Sequence, residues 1–133
     1  MSIMEKFKLN GKIALVTGCS KGIGFGIAKG LAEAGADIVG VSSTLDKGSD
    51  IEKYVESIGK KFHCFRCDFS KRQNTHSFLR ELGENNLEPN ILVSNAGSLI
   101  RTELSEHIDE HWDRILEINL SSQFVLAGNL VQK

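Results

Sequence analysis

Thr17-Gly18-Cys19-Ser20-Lys21-Gly22-Ile23-Gly24 follows a short apolar run, Lys12 to Thr17, and leads into Ile23, Ile27, Leu31 and Ala34 at helical spacing. The run is long enough, and rich enough in strand formers, for a buried strand. The spaced apolar residues predict a helix that Gly35 is placed to end. The glycines therefore fall at a strand-to-helix turn. There the chain turns sharply, a pyrophosphate approaches the backbone, and the free N–H groups of the helix start point at the anion. A side chain at Gly18, Gly22 or Gly24 would obstruct one of these. A tight turn without a ligand is the alternative, and glycines at 18, 22, 24 and 26 weigh against it. The spacing is neither Gly-x-Gly-x-x-Gly, since position 27 is Ile, nor the Gly-x4-Gly-Lys-Ser/Thr phosphate loop, so an ATPase reading has no support.

Outward from this turn the pattern repeats. Asn10-Gly11 makes the turn before the first strand, and Asp37 to Val41 is a second apolar run. Ile51, Tyr54, Val55 and Ile58 form one face of a second helix, with Tyr54 in the core, Ser49 or Asp50 at its start and Gly59 past its end. Phe62 to Cys67 predicts a third strand. Ser70 is placed to cap a third helix carrying Phe78, Leu79 and Leu82. After Pro89-Asn90, Ile91 to Ser94 predicts a fourth strand. Asp109 is placed to cap a fourth helix with Trp112, Ile115, Leu116 and Leu120 on one face, and a last helical stretch runs from about Ser121 to the end. The order βαβαβαβα with short connections predicts an α/β fold, a doubly wound, Rossmann-like parallel sheet with helices on both faces.

The bulk composition agrees. A chain of 133 residues fits one domain, and 41% hydrophobic with 25% charged residues excludes a disordered chain, a collagen-like repeat and a coiled coil. Lys plus Arg is 16 and Asp plus Glu is 17, so no net field draws the protein to nucleic acid or an anionic membrane. No apolar run nears the roughly eighteen residues of a membrane helix, and Met1 to Leu9 holds no signal-peptide stretch. Cys19, Cys64 and Cys67 are an odd count that suits a reducing compartment. The expectation is a cytoplasmic protein with neither nucleic-acid nor membrane partners.

Thr17-Gly-x-x-x-Gly-Ile-Gly24 resembles the cofactor motif of the short-chain dehydrogenase/reductase family. Asp68, after the third strand, matches the family aspartate that contacts the adenine ring. Ser94-Asn95-Ala96-Gly97 resembles the family's Asn-Asn-Ala-Gly, with Ser94 in place of the first Asn. Glu117-Ile118-Asn119-Leu120 places Asn119 at the family's active-site asparagine. Ile100-Arg101, Glu106-His107, Trp112-Asp113-Arg114 and Asn119-Leu120-Ser121-Ser122-Gln123-Phe124 are similar to the branch of 2-deoxy-D-gluconate 3-dehydrogenases (2-dehydro-3-deoxygluconate 5-dehydrogenases). The resemblance implies an enzyme that moves hydride between a nicotinamide cofactor and a keto or hydroxy group of a sugar acid. It assigns cofactor binding to Thr17, Gly18, Ser20, Lys21, Gly22, Ile23, Gly24, Ser43, Asp68, Asn95, Ala96 and Gly97, and an active-site role to Asn119.

An acidic residue about twenty positions after the glycines would bond the ribose 2′-OH and favour NAD. Ser42, Ser43 and Thr44 stand there, with Asp46 two positions on, while Lys21 suits the 2′-phosphate of NADP. With the branch mostly described with NAD, the reading is NAD or NADP with a slight preference for NAD. The family's catalytic tyrosine has a lysine four residues on. Here the only tyrosine is Tyr54, followed at that spacing by Ile58, and the family's Ser, Tyr and Lys have no counterpart. The resemblance thus implies residues 1–133 as the N-terminal half of a larger single domain, truncated after the fourth strand and its helix: a fragment, a frameshifted product or a shortened oxidoreductase, inactive by itself. The alternatives are a catalytically dead nucleotide-binding module and a folded remnant that binds nothing. Full-length relatives are oligomeric.

Two other patterns carry less. Cys64-x-x-Cys67 lies on a predicted strand, where residues three apart point to opposite faces, so it reads as structural. Cys19 reads as a small filler of the turn. His107-Ile108-Asp109-Glu110-His111 formally matches His-x-x-Glu-His. With Asp109 as cap the two imidazoles need not share a face, and no third ligand is evident, so no metal site is expected.

Overall fold

The computed structural model describes residues 2–131. Four strands, β1 (Ile13–Thr17), β2 (Asp37–Ser42), β3 (Phe62–Arg66) and β4 (Ile91–Val93), form one sheet in the order β3-β2-β1-β4. Every pairing is parallel: Leu15 lies beside Val39 and Leu92, and Ser42 beside Arg66. Parallel neighbours require crossover connections. They are supplied by α1 (Gly22–Glu33), α2 (Asp50–Ser57) and α3 (Arg72–Glu84). After β4 come α4 (Asp109–Leu116) and α5 (Ser122–Leu130), joined without a break by a π-turn over Glu117–Ser121.

The strands read as continuous apolar runs because both faces of the sheet are covered. Ala14 and Val16 join Ile38 and Phe62 on one face, under Ala28 and Ala32 of α1 and Ile51 and Val55 of α2. Leu15, Val39 and Val41 point to the other, under Phe78 and Leu82 of α3, Ile118 and Leu126. Ala28 and Ala32 are small, so α1 packs close to β1 and β2. Burying each Leu, Val or Ile in such a layer stabilises the fold by about 1.5–3 kcal/mol.

The parallel order and the two-layered helices are as the sequence predicts; several ends differ. Ser49 caps α2 by accepting from the Glu52 N–H. Ser70 does not cap α3: its N–H and hydroxyl both donate to Asp68 Oδ1, and Lys71 precedes the helix without a capping side chain. Asp109 is the first residue of α4 and Ile108 stands at its cap. Tyr54 is half-buried rather than core. Its hydroxyl donates to Glu33 and Lys29 lies 4.6 Å over its ring. The expected apolar face of α4 faces outward, with Trp112, Leu116 and Leu120 exposed, while Ile118 in the π-turn enters the core. Gln132 and Lys133, the end of the predicted last helix, lie outside the described residues.

This topology fixes where a ligand sits. The chain steps outward from β1 through β2 to β3 and then crosses back to β4. In open parallel sheets the crevice for a ligand lies at that reversal, beyond the carboxyl ends of the strands.

Candidate functional site

Thr17 closes β1 and organises the crevice. Its Oγ1 accepts from the N–H groups of Asn95 and Ala96, both at 2.9 Å, and donates to the Val93 carbonyl at 3.4 Å. One buried hydroxyl thus ties the turn after β1 to the loop after β4. Asn95 adds a second tie, its Nδ2 donating to the Gly18 carbonyl at 3.2 Å. Gly18 has φ +66° and Gly22 +63°, conformations that side-chain-bearing residues rarely adopt. Gly24 is required for space: a Cβ there would lie 2.1 Å from the Gly18 carbonyl oxygen. Gly26 faces no such neighbour.

These constraints open the first turn of α1 toward solvent. Lys21 stands at its cap with no side-chain hydrogen bond to the helix. The N–H groups of Gly22, Ile23 and Gly24 have no intrahelical acceptor, as at any helix start. An uncapped N-terminus with close backbone approach fits a pyrophosphate.

A cleft of about 490 Å³ lies against this turn. Of the residues predicted from sequence, Gly18, Ser20, Lys21, Gly22, Ser43, Asp68, Asn95, Ala96 and Gly97 line it. Thr17, Ile23, Gly24 and Asn119 do not. Thr17 and Gly24 are buried beneath it, and the Ile23 side chain is exposed. Asn119 sits beside the cleft in the π-turn. Its Nδ2 donates to the Ser98 carbonyl at 2.9 Å, and its Oδ1 accepts from the Ser98 N–H at 2.7 Å. Both ends of its amide are thus committed to holding the loop after β4.

Asp68 accepts from the Ser70 hydroxyl at 2.6 Å and the Ser70 N–H at 3.0 Å. These bonds, helped by Arg114 and Lys71, hold its carboxyl below the usual range. It stays ionised as an acceptor on the cleft wall. Arg114 also lines the cleft, one turn before Ile118, which lines it too. Sequence reasoning missed Arg114 as a site residue, because an arginine on an amphipathic helix carries no signal of which way it reaches.

The remaining candidates are resolved by burial and packing. Cys19 is fully buried, and desolvation pushes its thiol up to about 11. It fills the turn above Gly40, whose absent Cβ would lie 2.8 Å from its Sγ. Cys64 and Cys67 belong to opposite faces of the sheet, as the strand geometry predicts, and burial raises the Cys67 thiol to about 12. His107 and His111 do meet, with rings edge to face at 5.5 Å. Among the described residues no group of three or more His, Cys, Asp or Glu side chains is gathered as metal ligands would be. A smaller cavity of about 350 Å³ between α3 and α5, lined by Leu79, Leu87 and Leu130, holds none of the motif residues. No helix among the described residues is long and apolar enough to cross a membrane.

Residues 12–133 match the family model for short chain dehydrogenases. The chain belongs to the short chain dehydrogenase family. Within this family it is 50% identical over 129 residues to the 2-dehydro-3-deoxy-D-gluconate 5-dehydrogenase of Pseudoalteromonas atlantica, covering 96% of this chain and 51% of that protein. The enzyme of the same name from Bacillus subtilis is 44% identical, covering 92% of this chain and 48% of that protein. Among solved members, the 3-oxoacyl (acyl-carrier-protein) reductase of Agrobacterium tumefaciens C58 with NADP bound superposes with a TM-score of 0.88 at 28% identity, covering 99% of this chain and 51% of that one. L-sorbose reductase of Gluconobacter frateurii, complexed with NADPH and L-sorbose, gives 0.85 at 29% identity, covering 95% and 48%. The chain spans about half the length of the curated relatives it matches. The short chain dehydrogenase match takes in every residue predicted for the site, from Thr17 to Asn119.

Proposed function

We propose that this chain forms the nucleotide-binding half of a nicotinamide-dependent dehydrogenase acting on the keto or hydroxy group of a sugar acid. One observation carries the reading: the uncapped start of α1, the Gly18–Asn95 contact and the ionised Asp68 converge on a single cleft at the reversal of strand order. In this reading the backbone from Gly18 to Gly24 receives the pyrophosphate, with Ser20 beside it and Lys21 toward the 2′ position of the adenosine ribose. Asp68 accepts from the adenine amino group, Ser43 faces the adenosine ribose, and Asn95, Ala96 and Gly97 form the floor. Thr17 and Asn119 are positioning residues. When bound, the cofactor supplies hydride chemistry at its nicotinamide ring. The sugar-acid substrate rests on the likeness to the 2-dehydro-3-deoxy-D-gluconate 5-dehydrogenases.

Charge at the cleft supports NADP over NAD, reversing the slight preference drawn from the sequence. The charged residues lining the cleft are Lys21, Asp68 and Arg114, and the end of β2 presents Ser42, Ser43 and Thr44 rather than a carboxylate. The NADP and NADPH of the superposed relatives point the same way. Tyr54, the chain's only tyrosine, does not line the cleft, so these residues bring no tyrosine acid or base to it.

Thermal unfolding with millimolar NADP, NAD or neither tests the binding step. A ligand at a hundred times its Kd adds about 2.7 kcal/mol to stability. Protection by a dinucleotide, with no turnover of 2-dehydro-3-deoxy-D-gluconate, is the expected result. Absence of protection by either dinucleotide would sink the nucleotide-binding reading, and turnover by the purified protein would sink its inactivity.

A further inference from the structure

Arg66, the last residue of β3, lies in register with Ser42, the last of β2. Its Nε donates to the Leu45 carbonyl at 3.0 Å, and its Nη2 pairs with the Asp46 carboxylate. The Leu45 side chain is buried in the core. One guanidinium thus grips the loop that follows Ser43 and Thr44 at two points, one main chain and one side chain. Among the described residues, Arg66 is the hydrogen-bond and ion-pair partner of the Asp46 carboxylate. Arg66 also borders a space of about 230 Å³ that shares Ser43, Cys67 and Asp68 with the nucleotide cleft.

Asp46 is the first carboxylate after β2, and it falls near the spacing at which an acidic residue accepts the ribose 2′-OH. It does not line the cleft. A carboxylate free to swing to the ribose end would repel a 2′-phosphate and welcome a 2′-OH. We propose that Arg66 is a positioning residue for cofactor choice: by holding Asp46 against its guanidinium, it keeps that carboxylate away from the ribose end of the cleft and leaves Lys21 to meet a 2′-phosphate. The inference rests on the nucleotide reading above and deepens it. It names what silences the one acidic residue that would otherwise select the unphosphorylated cofactor.

Calorimetric titration of the purified protein with NADP+ and with NAD+ gives the ratio of the two Kd values, which a merely structural change would leave alone. Arg66→Ala is expected to shift the ratio toward NAD+ by about fivefold, the size of one exposed charge interaction. Arg66→Ala with Asp46→Asn is expected to restore it, because the freed carboxylate is gone. Arg66→Lys, which keeps a cation beside Asp46, is expected to stay near the original ratio. Arg66 is largely exposed, so unfolding midpoints verify that the variants fold. A ratio unchanged in Arg66→Ala overturns the inference, as does a shift that persists in the double variant. Failure of the unaltered protein to bind either dinucleotide overturns the nucleotide reading and this inference with it.

Discussion

A methyl group added at Gly24 would lie 2.1 Å from the Gly18 carbonyl oxygen and 2.5 Å from the Asn95 amide nitrogen. Neither neighbour has room to yield, since Asn95 is held from both sides: its own N–H binds Thr17 and its side chain binds Gly18. Two positions along the same helix, a methyl at Gly26 meets nothing within 4 Å. The sequence presents these glycines as one cluster, and only the packing separates the required from the permitted. Gly24→Ala is expected to destabilise the protein by about 1–3 kcal/mol, as overpacking does, and to abolish thermal protection by a dinucleotide. Gly26→Ala is expected to stabilise it by about 0.5–1 kcal/mol, because alanine is the better helix former. Guanidinium unfolding of both variants side by side checks the contrast. Equal destabilisation by the two would show that the close approach at Gly24 is not the constraint.

Elements meet at the site through a few shared hydrogen bonds, and these carry more than the elements themselves. Thr17 Oγ1 serves two main-chain donors of the loop after β4. Thr17→Val keeps the shape of the strand and leaves both part-buried N–H groups without their protein acceptor, at up to about 1–3 kcal/mol for each donor. Thr17→Ser retains the oxygen and is expected to lose much less. Denaturant midpoints distinguish the two, and a valine variant as stable as the serine variant would remove Thr17 from this role. Strand and helix order was legible in the sequence because glycines at 11, 35 and 59 punctuate short elements, each with positive φ. The two sheet faces were legible from unbroken apolar runs. Helix caps were less so: Ser70 has two partners within reach, the N–H donors of the helix start and the Asp68 carboxylate, and the charged one wins. Nine of the thirteen predicted site residues line the cleft because the glycine and Asn-Ala-Gly turns are local patterns. Arg114 was not legible, because its arrival depends on how α4 packs against β4's following loop.

Across the whole molecule, charge is balanced but apolar surface is not. Trp112, Leu116, Leu120 and Phe124 recur every four residues along α4, the π-turn and α5, and they are 67%, 37%, 63% and 78% exposed. From Ile115 to Val131 the sequence holds one charged residue, Glu117, and Arg72 of α3 binds it at 3.1 Å. From Ile115 on, the helical span thus has an inner face packed on the sheet and an outer face whose one charged residue is paired, while Asp113 and Arg114 beside Trp112 bound the apolar row at its start. Contiguous apolar patches above a few hundred Å² are uncommon on soluble monomers and drive association. Leu120→Gln together with Phe124→Gln removes two of the most exposed side chains without touching Ile118, Val125 or Leu126, which are buried. Surface changes of this kind alter stability by no more than about 0.5 kcal/mol each. The double variant is therefore expected to unfold at nearly the same denaturant concentration, while its weight-average mass in sedimentation velocity rises less with protein concentration. Identical concentration dependence in both proteins would show that this face does not drive self-association.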